Sequence, residues 1–212
     1  METMKFTIKL LSDTLPGSGM SGSAVIDSDV TADSYGIPFI PAKRVKGLLR
    51  ESLMEVFEMI GGKIDKDKIN GLFGKIGDAE SKSLFVSDVK MKESDNLHEW
   101  LDWAKSSEVW KGYFQSSAIK DAYSTIRQQT KLENGIAAKH SLRTFRVLNK
   151  GLEFEGVISK EKFNDTEKEM LQLAFSNMRY LGISRNRGFG RIEANIQNSD
   201  LKQAFEKVRG AK

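Results

Sequence analysis

Residues 42–60, AKRVKGLLRESLMEVFEMI, set Val45, Leu48, Leu49, Leu53, Val56, Phe57 and Ile60 three or four places apart. At 3.6 residues per turn they fall on one side of a helix, which must bury that side against another layer. Pro41 suits the start of this helix and Gly61-Gly62 its end. A second stripe, Leu171, Ala174, Phe175 and Met178, follows Asn164 and Glu167, which have the spacing of a capping box, and runs toward Gly182. The flanking segments follow the other period. MKFTIKL (4–10) alternates apolar and polar, and LFVSDVKM (84–91) and FGRIEANIQ (189–197) read as further strands. LRTFRVLN (142–149) and LEFEGVIS (152–159) flank Lys150-Gly151 as a hairpin or as two consecutive strands. Residues 92–126 read as a helical insertion carrying Trp100, Trp103 and Trp110. Without the insertion the order is β-α-β-β-α-β. That order predicts an α+β, ferredoxin-like (RRM-like) core, an antiparallel sheet with both helices on one face and the other face open.

A chain of 212 residues suits one domain with an insertion. Cysteine is absent, so there is no disulfide framework, and an intracellular setting is the simpler reading. No apolar run approaches the ~18 residues of a membrane span and no apolar leader opens the chain, so a cytoplasmic protein with no membrane partner is expected. Met1, Glu2 and Thr3 precede a second methionine and are set outside the predicted first strand.

The formal net charge of +4 is modest but unevenly placed. Residues 41–50 hold Lys43, Arg44, Lys46 and Arg50 with no acid, and residues 179–191 hold Arg179, Arg185, Arg187 and Arg191 with none. Between 127 and 150 lie Arg127, Lys131, Lys139, Arg143, Arg146 and Lys150 against Glu133 alone. Three such clusters make one phosphate-binding face only if the fold brings them together. In the last of them GISRNRGFGRIEA (182–194) joins a predicted helix to a predicted strand. Gly182 suits a helix end, Gly188 and Gly190 would let backbone amides approach an anion, and the arginines supply bidentate phosphate contacts. Two motif matches fail on context. GSGMSG (17–22) has the dinucleotide spacing, but no helix follows to receive a pyrophosphate. RGFG (187–190) begins like an RNA-recognition motif, yet RIEA follows without stacking aromatics.

Four segments in order, YGIPFIPAKRVKGLLRESL (35–53), LFG (72–74), SLRTFRVLNKGLEFEG (141–156) and LGISRNRGFGRIEA (181–194), resemble the RAMP superfamily of CRISPR proteins. The likeness is greatest to the backbone subunits of type III effector complexes. It implies a single RAMP domain over 1–212 that binds guide RNA through its phosphates without reading sequence. It also implies copies tiled head to tail along the guide, with target RNA and other effector subunits as partners, in antiviral defense. Residue by residue, the resemblance sets Lys46, Gly47 and the helix N-terminus against the guide. Lys43, Arg44 and Arg50 make this segment more basic than usual, and the family's hydroxyl side chains are missing. Gly182, Gly188 and Gly190 match the glycine loop, with Arg185, Arg187 and Arg191 as its cations. Residues 127–148 become a protruding hairpin whose Lys139, His140 and Arg143 meet RNA.

Several members of the family cut target RNA with an aspartate in an early loop, as an endonuclease hydrolase. Counting back from GIPFIP, Asp27 corresponds, with Asp29 as the fallback. A carboxylate there could hold a divalent metal ion such as Mg2+ for target cleavage only; Asp27, Asp29 and Asp33 among Ser, Thr and Ala also suit plain turns. Two other readings stay open. One is a stand-alone endonuclease that processes precursor guide RNA, for which His140 would be the general base; the other is an architectural subunit without chemistry. His98 and the three tryptophans are not assigned to RNA, because the tryptophan offsets of three and seven are helical and point to packing inside the insertion.

Overall fold

The computed structural model describes residues 1–17, 26–60, 66–74, 83–197 and 200–210. In chain order the elements are β1 (Glu2–Leu10), β2 (Phe39–Ile40), α1 (Ala42–Met59), α2 (Lys66–Phe73), β3 (Phe85–Val86), β4 (Val89–Met91), α3 (Ser94–Ser106) and α4 (Ser116–Ala122). They continue with β5 (Ser124–Gln129), β6 (Leu132–Glu133), β7 (Ile136–Ala137), β8 (Arg143–Leu148), β9 (Glu153–Lys160), α5 (Asp165–Asn177), β10 (Ile192–Ile196) and α6 (Leu201–Gly210).

The main sheet runs β10-β1-β9-β4-β2, with β3 also on β9, and every pairing is antiparallel. With β3 and β4 taken as one interrupted strand, the order is fourth, first, third, second, the split βαβ arrangement. Phe6, Ile8 and Leu10 of β1 point into a core closed by Leu49 and Leu53 of α1 and Leu171 and Phe175 of α5. The Phe6 and Phe175 rings meet at 5.0 Å. Gly156 makes room for this contact, since a Cβ there would lie 2.6 Å from the Phe6 ring. The capping box of α5 forms: Glu167 N–H donates to Asn164 Oδ1 (2.8 Å) and Asn164 N–H to Glu167 Oε2 (3.1 Å).

The other face of the sheet carries Lys5, Thr7 and Lys9 of β1 beside Glu153 and Glu155 of β9. Lys9 and Lys92 both pair with Glu153, at 2.9 and 3.3 Å. Phe189 of the RGFG match packs against the core, so the open face is a mixed-charge surface without the stacking platform of an RNA-recognition domain.

Several boundaries depart from the sequence reading. Glu2 and Thr3 belong to β1, and Glu2 is fixed by the Phe163 amide (3.0 Å) and by Lys168 (2.8 Å). The strand drawn over 84–91 breaks at Ser87-Asp88, because the Asp88 carboxylate turns away to accept from Ala42 N–H at the start of α1 (2.8 Å). β8 and β9 are consecutive strands in different sheets, since β8 pairs with β5. That pairing is the base of a long hairpin with the β6–β7 pair at its tip. Helix α5 stops at Asn177, short of Gly182, because the next residues bond to the edge of β10. Gly61-Gly62 lies outside the described residues, as does GSGMSG beyond Gly17.

The tryptophans pack with other rings inside the insertion, as expected, but form no buried core there. Helix α3 buries Leu101 and Ala104 and leans Leu97 on the core, so Trp100 and Trp103, rotated off that stripe, are 44% and 55% exposed. Trp100 and Trp110 pack instead on Phe114, at 4.8 and 6.3 Å between ring centres. Among the described residues no helix is long and apolar enough to cross a membrane.

Candidate nucleic-acid interface

Helix α1 begins without a side-chain cap and without an acid in its first turn, while Lys43 and Arg44 stand there. The N-terminus of an 18-residue helix carries partial positive charge, to which the two cations add and which the Asp88 carboxylate on Ala42 N–H partly offsets. Beside this turn runs the glycine loop, which is laid on residues 11–17. Ile183 N–H donates to Leu15 O (3.1 Å), Gly190 N–H to Asp13 O (2.9 Å), and Leu11 N–H to Arg191 O (2.8 Å). Two of its glycines are required by this close approach. A Cβ on Gly182 would lie 2.0 Å from Leu15 O, and one on Gly190 2.3 Å from Leu181 O, both at positive φ. A Cβ on Gly188 would meet nothing within 4 Å.

The first and third basic clusters, about 140 positions apart in sequence, therefore meet. Pro16, Lys43, Arg44 and Gly47 line one side of a groove of about 270 Å³, and Gly182, Ile183 and Arg185 line the other. Gly47 is an exposed helical glycine with nothing within 4 Å of a Cβ, so α1 presents bare backbone here.

The cations are not equivalent. Lys43 is exposed and has no partner among the described residues. Arg44 Nε donates to Gly17 O (3.0 Å), and Arg185 donates to Gly182 O (3.0 Å) and reaches Glu51 (3.4 Å). Two of the expected RNA-facing cations are engaged within the fold. Lys46 turns away from the groove to donate to Leu84 O (2.9 Å), and burial, with Arg50 nearby, pulls its ammonium below the usual value. Arg50 is spent on Gly74 O (2.9 Å) and Asn70 Oδ1 (2.6 Å), bracing α2. The Gly190 amide, expected to face an anion, is likewise used within the fold.

The hairpin touches this surface at its base, where Arg187 donates to Gln129 Oε1 (3.0 Å). Lys139 and His140 lie beyond the Thr130–Ser141 hydrogen bond, on the distal half of the hairpin. His140 is exposed at φ 57 and has no hydrogen-bond partner among the described residues, hence no group to fix its tautomer as a general base.

Residues 26–33 run beside β8: Asp27 N–H donates to Thr144 O (2.9 Å) and Arg146 N–H to Ser28 O (3.0 Å). Their three aspartates have separate roles. Asp33 accepts from Tyr35 N–H and Ile37 N–H and holds His98 at 2.6 Å. Asp29 pairs with Lys120 (2.9 Å) and Arg146 (3.2 Å), tying the insertion to the hairpin. Asp27 is the most open of the three, 41% exposed; Oδ2 accepts from Thr144 N–H (2.7 Å) and Oδ1 lies 3.8 Å from Arg143. Among the described residues no three His, Cys, Asp or Glu side chains gather as a metal site. With Arg143 beside the remaining oxygen, a resident metal ion held by protein alone does not fit here.

No sequence motif pointed to the work of the insertion. His98 meets Asp33, Tyr35 O–H donates to Asp102 Oδ1 (2.6 Å), Lys105 lies 3.9 Å over the Tyr35 ring, and a Cβ on Gly36 would lie 2.0 Å from Ser116 O. Helices α3 and α4 thus clamp the aspartate loop against the core.

The profile of the family described as the RAMP superfamily matches residues 7–193. Among solved structures, the fold is similar to a chain of a type III-B Cmr-beta assembly in the apo state, at 14% identity and TM-score 0.62, over 93% of this chain and 98% of that one. It is also similar to a chain of type III-B Cmr-beta bound to cognate target RNA, at 14% identity and TM-score 0.65, over 96% and 99%. Curated proteins give no match.

Proposed function

The chain belongs to the RAMP superfamily, and from that premise we propose that it is a backbone subunit of a type III CRISPR effector complex, gripping guide RNA by its phosphates. The observation that carries this reading is the groove where the start of α1, with Lys43 and Arg44 in its first turn, meets the glycine loop. Exposed cations, a helix N-terminus and glycine backbone all recognise phosphate. Cmr-beta, the assembly whose chains share this fold, is bound to target RNA in one of the two structures. Guide RNA, target RNA, other effector subunits and further copies of this chain placed head to tail are the proposed partners, in the cytoplasm.

Within this reading Asp27 is the candidate for cleaving target RNA. It is the carboxylate of its loop left open to solvent, at the foot of the hairpin, with Arg143 beside it to meet phosphate charge. The protein alone offers no metal cage among the described residues; a divalent ion such as Mg2+, brought in with the RNA, would supply charge for the cut, and Asp27 is the carboxylate that would face it. Asp29, bound to two cations, serves structure instead.

The test is fluorescence anisotropy with single-stranded RNA on the wild type, Lys43→Glu, and Lys111→Glu on the insertion. Reversing a charge in the groove is expected to weaken binding about tenfold or more, while Lys111→Glu leaves it unchanged. Equal effects from both would remove the groove from the account.

A further inference from the structure

After α5 ends, residues 179–181 lie along the outer edge of β10 as a short added strand. Ile192 N–H donates to Arg179 O (2.9 Å), Leu181 N–H donates to Gly190 O (2.7 Å), and Tyr180 stands opposite Arg191 in an antiparallel bridge. Directly opposed residues of an antiparallel pair project to the same side. Tyr180 and Arg191 are therefore neighbours on a backbone fixed from both flanks.

These side chains differ from the rest of the basic surface. Arg44, Arg50, Arg127, Arg185 and Arg187 all donate to protein acceptors. Arg179 and Arg191 are exposed, and neither guanidinium has a partner among the described residues. The Tyr180 ring, 41% exposed, has no ring or hydrogen-bond partner there either. Arg179, next to Tyr180 in an extended segment, projects from the other side of it; an aromatic face beside the uncommitted Arg191 guanidinium suits a nucleotide, the base on the ring and a phosphate on the arginine.

All three residues line a cavity of about 630 Å³. This cavity shares Met178, Arg179 and Tyr180 with a smaller one of about 70 Å³, which in turn shares Leu48, Glu51 and Arg185 with the groove at α1. The three cavities thus adjoin one another from Lys43 to Tyr180, with Glu51 and Glu55 also in the wall of the small one. Resting on the RNA-binding reading above, we infer that bound RNA continues along these adjoining cavities and stacks one base on Tyr180, with Arg191 on an adjoining phosphate.

The experiment uses oligouridine carrying 5-iodouridine, which crosslinks to a stacked aromatic side chain, together with binding measurements on Tyr180→Phe, Tyr180→Ala and Lys43→Glu. The expected result is a crosslink mapped to Tyr180, affinity near wild type for Tyr180→Phe, and about tenfold weaker binding for Tyr180→Ala. Both variants should keep the wild-type far-UV spectrum, because the 180 side chain makes no hydrogen bond or ring contact among the described residues that either change would remove. If Tyr180→Ala binds like wild type and the crosslink falls elsewhere while Lys43→Glu still weakens binding, the stacking site is overturned and the groove stands. If Lys43→Glu also binds like wild type, both fail.

Discussion

Gly182 and Gly188 stand six positions apart in one loop, both at positive φ, +89° and +82°, and the structure gives them different jobs. Alanine at Gly182 would place its Cβ 2.0 Å from Leu15 O and 2.7 Å from Leu15 C, backbone atoms held in turn by the Ile183 amide. The left-handed conformation costs an alanine about 1–2 kcal/mol, and overpacking against an immovable neighbour adds about 1–3 kcal/mol. Gly182→Ala is therefore expected to lose about 2–5 kcal/mol of unfolding free energy. At Gly188 nothing lies within 4 Å of the added carbon, so only the first cost, about 1–2 kcal/mol, applies. Urea unfolding followed by far-UV circular dichroism measures both, the difference being read from midpoints at unchanged slope. A Gly188→Ala loss equal to or larger than that of Gly182→Ala would refute the packing of the glycine loop on residues 11–17.

Asp29→Asn should destabilise by about 2 kcal/mol by leaving the part-buried Arg146 and Lys120 short of a carboxylate, a figure reduced from that of a fully buried pair; Asp27→Asn should melt within about 0.5 kcal/mol of wild type. In an assembled guide complex, Asp27→Asn is expected to abolish target cutting while guide binding persists, checked by gel analysis of labelled target alongside chelation; cutting at the wild-type rate would remove Asp27 from the chemistry. The Glu153 carboxyl is held below its usual 4.5 by hydrogen bonds from Lys9 and Lys92, and Glu2 is held below it by Lys168 and the Phe163 amide. Their stabilisation is thus fully present above pH 4.5 and lost as pH falls through the lower folded values, so Glu153→Gln should flatten the acid limb of a stability–pH curve.

Both helices and the strand order were legible because each element carries its own period: Val45 to Ile60 could only be one helix face, and Phe6, Ile8 and Leu10 only one sheet face. The end of α5 was not, since Arg179, Tyr180 and Leu181 suit a helix locally and leave it for hydrogen bonds to β10, a partner that follows in the chain. Charge runs located the groove but not its members. Lys43 and Lys46 look alike in sequence and lie only about 60° apart around the helix, yet Lys46 is turned onto the Leu84 carbonyl while Lys43 stays exposed. Gly182 was read as a helix end and Gly190 as room for an anion, whereas the close approach both permit is to the protein's own carbonyls. The clamp on the aspartate loop joins Asp33 to His98 and Tyr35 to Asp102, each pair more than 60 residues apart, and no local pattern announces it.

The central claim is that the groove between α1 and the glycine loop holds RNA by phosphate alone. The salt dependence of affinity for single-stranded RNAs of different sequence tests it most directly. About four phosphate contacts predict a slope of log affinity against log salt near −3, and affinities for homopolymers and mixed sequences within a few-fold of each other. A flat salt dependence, or tight binding confined to one short sequence, would contradict the account.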